Sequence, residues 1–154
     1  MMKIIKSKKG FTLIELLIVV AIIGVLATLL MANFVGVRQR ARDAQRKSDV
    51  RQIQSALELY RSDNSTYPTV GAGNGNFPTS CGTGVSLEST DGKTTYMKII
   101  PCDPSGTSVS YAYSGGGVSY SLIACLENAS DSQADNPINA ACSGKPASFT
   151  VTNP

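Results

Sequence analysis

The chain has 154 residues, room for one small domain and an appendage, with 42% hydrophobic and 16% charged residues and neither His nor Trp. The missing histidine excludes His-dependent triads, His-ligated zinc and His general-base chemistry. The net charge of +3 hides an asymmetry: Lys3, Lys6, Lys8 and Lys9 open the chain, seven basic residues follow between 38 and 61, and from residue 62 onward three basic residues face seven acidic ones. That distribution excludes a basic nucleic-acid-binding domain and describes a weakly acidic globular part behind a basic, apolar front end.

Residues 11–37 contain one ionisable side chain, Glu15, and no proline. As a helix this run spans about 40 Å, enough to cross a hydrocarbon layer of roughly 30 Å. It is too long for the apolar core of an ordinary secretory signal, and no small-x-small cleavage site follows it. A carboxylate inside such a run is costly, which marks Glu15 as paired or functional.

The segment Lys8-Lys9-Gly10-Phe11-Thr12-Leu13-Ile14-Glu15-Leu16 resembles the processing motif of type IV prepilins and their relatives, the type II secretion pseudopilins. The resemblance implies a leader of residues 1–10, cut after Gly10 by a membrane-embedded prepilin peptidase. It further implies N-methylation of the new terminus, Phe11, and a role for Glu15 in assembly. Physical logic runs the same way. Cleavage exposes an ammonium at Phe11, one turn from Glu15 and on the same helical face. In a filament interior that is poor in water, Glu15 is tolerable only when paired with an amine, such as that of a neighbouring copy, and this rewards one axial register. Positive-charge counting leaves orientation ambiguous, because Arg38, Arg40, Arg42, Arg46, Lys47 and Arg51 crowd the far flank. The leader motif and the cysteines both place the C-terminal part outside the cytoplasm.

Beyond residue 37 the helix is expected to continue to about 62. Val50, Ile53, Leu57 and Tyr60 form one apolar stripe, and Asp63, Asn64 and Pro68 supply a stop. Residues 41–50 also resemble the post-membrane helix of pilins and pseudopilins, although many relatives carry a proline in the apolar half and this chain has none before Pro68. After residue 68 the composition turns to Gly, Ser, Thr, Asn and Pro. The glycine-rich stretch 71–80 is expected to be irregular. Strand candidates are 94–100, 108–113, 118–126 and 148–152, with Ser114-Gly115-Gly116-Gly117 as a hairpin connection. Tyr111, Tyr113 and Tyr120 fit ordinary sheet side chains better than a ligand stripe. The fold expected is α+β, a type IV pilin fold, with the globular domain at 38–154 packing a small antiparallel sheet on the amphipathic half-helix.

Cys81, Cys102, Cys125 and Cys142 contain no C-x-x-C pair, so they read as two disulfides rather than a zinc site. Three connectivities are open. Sequential pairing, Cys81–Cys102 and Cys125–Cys142, is favoured because it pins the glycine-rich and C-terminal loops separately, and pilins commonly close the C-terminal loop in this way. Glu127, Asp131 and Asp135 could gather oxygen ligands for Ca²⁺, as in the C-terminal loops of some pseudopilins, but no EF-hand spacing is present and a solvated polar loop is the simpler reading. Asn64 and Asn128 lie in N-glycosylation patterns, a weak signal. No cofactor is implied, and no nucleophile–base pair suggests an enzyme.

The main functional expectation is a pilin of a type IV pilus serving adhesion, motility or DNA uptake. The alternative is a major-type pseudopilin of a type II secretion system, which the segment 96–104 resembles. Partners implied by resemblance are copies of the chain itself, the prepilin peptidase, an inner-membrane platform protein and an assembly ATPase. The membrane holds the subunit before assembly, with the N-terminus in the cytoplasm; afterwards it lies in a surface pilus or, for a pseudopilin, in the periplasm. A protease binds its scissile segment extended, and glycine lets the enzyme's backbone approach closely. Gly10→Val should therefore leave an uncleaved precursor, which intact-mass measurement of membrane-extracted protein will register.

Overall fold

The computed structural model describes residues 10–106 and 109–153, with the backbone alone at 32 and 33. The four leader lysines lie outside the described residues, as does Ser108, where the second expected strand begins. Helix α1 covers Leu13–Asn64. It starts after a Thr12–Glu15 cap and ends where Ser65 takes a positive φ of 61° and returns its N–H to the Arg61 carbonyl. Gly24 and Gly36 are accommodated without a break.

The chain divides into two compact units, one ending at Val37 and one beginning at Arg38. In the first, every large apolar side chain described between Phe11 and Val37 is exposed. A helix apolar on all sides requires lipid or other helices around it.

In the second unit, Val50, Ile53, Ala56, Leu57 and Tyr60 are buried. They meet Tyr120, Leu122, Ala124 and Leu126 from the central strand of a three-stranded antiparallel sheet. That sheet is built from the fifth, sixth and seventh of the chain's strands: β5 (Ala112–Gly116), β6 (Ser119–Leu126) and β7 (Ala147–Thr152), in the order β5-β6-β7. Four shorter strands precede it. β1 (Thr69–Val70) pairs in parallel with β2 (Asn76–Phe77), and β3 (Leu87–Glu88) pairs antiparallel with β4 (Thr95–Met97). Phe77, Leu87 and Ile100 from these segments complete the core.

Two expectations are revised. The stretch 71–80 is not wholly irregular, since β2 lies within it. Ser114, Gly115 and Gly116 are strand rather than connection, pairing with Ser121, Tyr120 and Ser119 and leaving Gly117 and Val118 as a two-residue loop. The reason is space. A Cβ on Gly115 would lie 2.2 Å from the Tyr113 hydroxyl and 2.9 Å from the Tyr120 Cβ. Gly117 takes φ +65° at the first loop position, where a type II′ hairpin demands glycine.

Disulfides join Cys81 to Cys102 and Cys125 to Cys142 across Cα separations of 5.2 and 5.3 Å. The first closes the segment around β3 and β4. The second ties the end of β6 to a 3-10 turn at Ala140–Cys142. Each is worth roughly 3 kcal/mol through restriction of the unfolded chain.

Leu57 is wholly buried whereas Leu59, two residues on, is 58% exposed. Leu57→Ala should cost about 2–5 kcal/mol and Leu59→Ala within about 0.5 kcal/mol, read as denaturant midpoints of the detergent-solubilised chain.

Candidate functional site

Among the described residues, polar groups gather at the helix start in the first unit and around Arg46 in the second. At the helix start, the Thr12 N–H and hydroxyl donate to one Glu15 carboxylate oxygen at 2.8 and 2.7 Å, and the Glu15 N–H donates back to the Thr12 hydroxyl at 3.3 Å. This is a capping box, and it satisfies orphan donors of the first turn. Glu15 is thus already engaged within its own chain. Gly10 is exposed with nothing within 4 Å of the Cβ it lacks, and Phe11 is 81% exposed, so the residues flanking the expected cut are open. Thr12 was missed by the sequence reading, although the spacing Thr12-x-x-Glu15 is the signature of such a cap.

The second place is inside the globular unit. Arg46 is 2% exposed and bound by three carboxylates. Its Nε and Nη2 donate to the two Asp103 oxygens at 2.7 and 2.9 Å, its Nη1 to Asp43 at 2.7 Å, and its Nη2 also to Glu127 at 2.7 Å. Asp43 in turn accepts the backbone N–H groups of Glu127 and Asn128 at 3.0 and 2.9 Å. Arg42 holds the other side of Glu127, with Nε to Oε1 at 2.8 Å and Nη2 on Oε2. One turn further along, Lys47 binds Asp131 at 2.8 Å. The loop after β6 is therefore stitched along the helix by successive ion pairs. No buried side-chain donor or acceptor among the described residues is left unpaired.

The electrostatics follow from this packing. The Arg42 hydrogen bond, aided by Arg46 and opposed by burial, pulls the Glu127 carboxyl down to about 2. Burial alone would raise Asp103, but hydrogen bonds from Arg46 and Ser105 outweigh it and hold it at about 2. Asp131 is lowered chiefly by Lys47. Asp49, whose partner is the Tyr111 hydroxyl at 2.7 Å, is raised by its burial.

The expected calcium ligands do not converge. Glu127 and Asp131 face cations on the helix. Asp135 accepts the Ser148 and Thr150 hydroxyls at 2.6 and 2.7 Å and the Thr150 N–H at 3.1 Å, while its own N–H donates to the Ser148 carbonyl. Among the described residues no group of three acids or cysteines is arranged to hold a metal. Asn64 is turned inward, donating to the Tyr60 carbonyl and the Tyr96 hydroxyl.

Similarity to known proteins bears on the two filament readings. The family model for protein G of the type II secretion system matches residues 33–139, and that for the prokaryotic N-terminal methylation motif matches residues 5–31. The chain belongs to the type II secretion system protein G family. It is 33% identical to the type II secretion system core protein G of Escherichia coli K12 over 79% of this chain and 83% of that protein. Its identity to the Vibrio cholerae protein of the same name is 32% over 74% and 77% of the two chains, and to that of Pseudomonas aeruginosa 30% over 85% and 92%. No solved structure matches it significantly. Family membership makes the chain a structural subunit rather than an enzyme. It also favours the pseudopilin alternative over the type IV pilus reading.

Because Asp103 and Glu127 ionise lower when folded than their ordinary 3.8 and 4.5, the stability they contribute is complete above about pH 5 and is lost as pH falls toward 2. Asp49, raised in the fold, works in the opposite direction and makes the acid loss shallower. Arg46→Gln removes the cation from Asp103 and Asp43 while Glu127 keeps Arg42, so it should cost about 3–5 kcal/mol at neutral pH. It should also flatten the slope, because Asp103 loses the cation that lowers it while Glu127 stays lowered by Arg42; chemical denaturation across pH 3–7 measures both effects.

Proposed function

We propose that this chain is the major subunit of a pseudopilus, a short periplasmic filament that serves type II protein secretion. The observation that carries the reading is the protein G family match across the globular part, joined to a methylation-motif match at the N-terminus. On this reading residues 1–10 are a leader, 11–37 the membrane and filament-core segment and 38–154 the extracytoplasmic domain. The prepilin peptidase cuts between Gly10 and Phe11, and Phe11 is N-methylated. The platform protein and assembly ATPase then move the subunit from the inner membrane into a helical array of its own copies. No cofactor takes part.

Glu15 gives the array its register. In the isolated chain the Thr12 cap satisfies its carboxylate. Once the leader is gone, the ammonium of a neighbour's Phe11 competes for the same oxygens in surroundings poor in water. A charged partner there outweighs a neutral hydroxyl. The exposed apolar side chains of residues 11–37 supply the driving area, first against lipid and then against one another.

The reading is tested in cells lacking the native subunit. Wild-type chain should restore protein secretion without long surface fibres, and Glu15→Ala should insert normally yet fail to restore it. Abundant filaments from Glu15→Ala, or long external fibres with secretion untouched, would overturn the proposal.

A further inference from the structure

The loop between β1 and β2 carries chemistry that assembly leaves unused. Of the chain's eight asparagines, only Asn74 precedes a glycine. That dipeptide is reactive in itself. A backbone nitrogen can attack the Cγ of the asparagine before it, and a glycine, having no side chain, leaves the approach open. Here the fold demands the glycine. Gly75 takes φ +79°, and a Cβ on it would lie 2.5 Å from the Thr90 Cγ2 and 3.0 Å from the Thr90 Cα. Asn74 is exposed, with its side-chain amide resting on Gly92 in the β3–β4 turn.

In the closed loop the attacking nitrogen is held elsewhere. The Gly75 N–H donates to the Glu88 carbonyl at 3.2 Å, and the Gly75 carbonyl accepts the Tyr60 hydroxyl at 2.8 Å. Gly75 itself is buried. Attack requires this amide to give up its proton and turn toward Asn74, so the loop must first let go of β3 and of α1. Short segments of this kind open on their own, at a lower free energy than the whole unit.

We propose that Asn74 is a site of spontaneous deamidation, gated by release of Gly75 from Glu88 and Tyr60. In the open loop the Gly75 nitrogen loses its proton to hydroxide and bonds to the Asn74 Cγ. The Cγ–Nδ2 bond breaks, and ammonia leaves with a proton from water. The succinimide that remains is opened by a second water. Cleavage at Cγ gives aspartate, and cleavage at the backbone carbonyl gives isoaspartate. Either product replaces a neutral amide by a carboxylate in a pocket that Glu88 also lines, one residue from the Asp91-Gly92 turn. The new charge is a permanent record of how often that loop has opened.

The full chain in detergent is incubated at mildly alkaline pH, either folded or unfolded in denaturant with its disulfides reduced. Aspartate and isoaspartate are then read at each asparagine by mass spectrometry. Unfolded, Asn74 should convert faster than the other seven asparagines; folded, it should convert at least about tenfold more slowly than that. Tyr60→Phe should raise the folded rate about fivefold, the worth of one hydrogen bond, and leave the unfolded rate unchanged. Leu126→Val is the control, since Leu126 is buried beside Glu127, whose N–H meets Asp43 about 25 Å along α1 from Tyr60. It lowers the stability of the whole unit without touching the loop, and its folded rate should match wild type. Both variants are compared under conditions in which circular dichroism reports them folded. Equal folded and unfolded rates, no conversion of Asn74 in the unfolded chain, or a larger rise from Leu126→Val than from Tyr60→Phe would each overturn the proposal.

Discussion

A buried guanidinium with three carboxylates around it is the constraint on which the globular unit depends. Arg46 cannot be removed from water unless Asp103 and Glu127 arrive from distant parts of the chain, and Asp103 cannot be buried there without Arg46. Each arriving carboxylate stands close to a disulfide: Asp103 follows Cys102, and Glu127 lies two residues beyond Cys125. The covalent bridges thus limit where the acids can be, and the cation fixes where they go. Hydrophobic burial along Val50, Ile53 and Leu57 provides the bulk of the stabilisation, while the ion pairs specify one docking of the loop after β6.

This division suits a filament subunit. On the proposed reading the apolar helix exchanges lipid for copies of itself, and the large apolar side chains described there are exposed. The globular unit must remain the same object throughout that transfer. Among the described residues its buried side-chain polar groups are satisfied internally, so a change of surroundings at the helix does not leave them seeking new partners.

Much of this was legible in the residues. The apolar run with its lone glutamate, the stripe at 50, 53, 57 and 60 and the longer strands β6 and β7 all follow from periodicity. What escaped was what periodicity hides. The buried stripe continues backward to Arg46 and Asp43 at the same spacing, yet charged residues on a helix are ordinarily assigned to water, and their partners lie 57 and 84 residues away. Two-residue strands such as β1, β2 and β3 have no alternation to detect. Glycines at 115 and 116 signal a turn in sequence but provide clearance for Tyr113 and contact with Thr69 in the fold. The four cysteines allow three pairings, and only the folded distances select one. The secretion assignment came from similarity across the globular part, because the N-terminal pattern is shared by both kinds of filament.

The position of Asp135 has a consequence for crowding. β7 is the outermost strand of its sheet, and its rim would ordinarily invite a strand from the next molecule. Asp135 fills that rim, its amide on Ser148 and its carboxylate on Thr150, while Gln54 takes the Thr152 carbonyl. This border of the sheet is therefore closed to a strand from another copy, so on the proposed reading neighbouring subunits do not join through it.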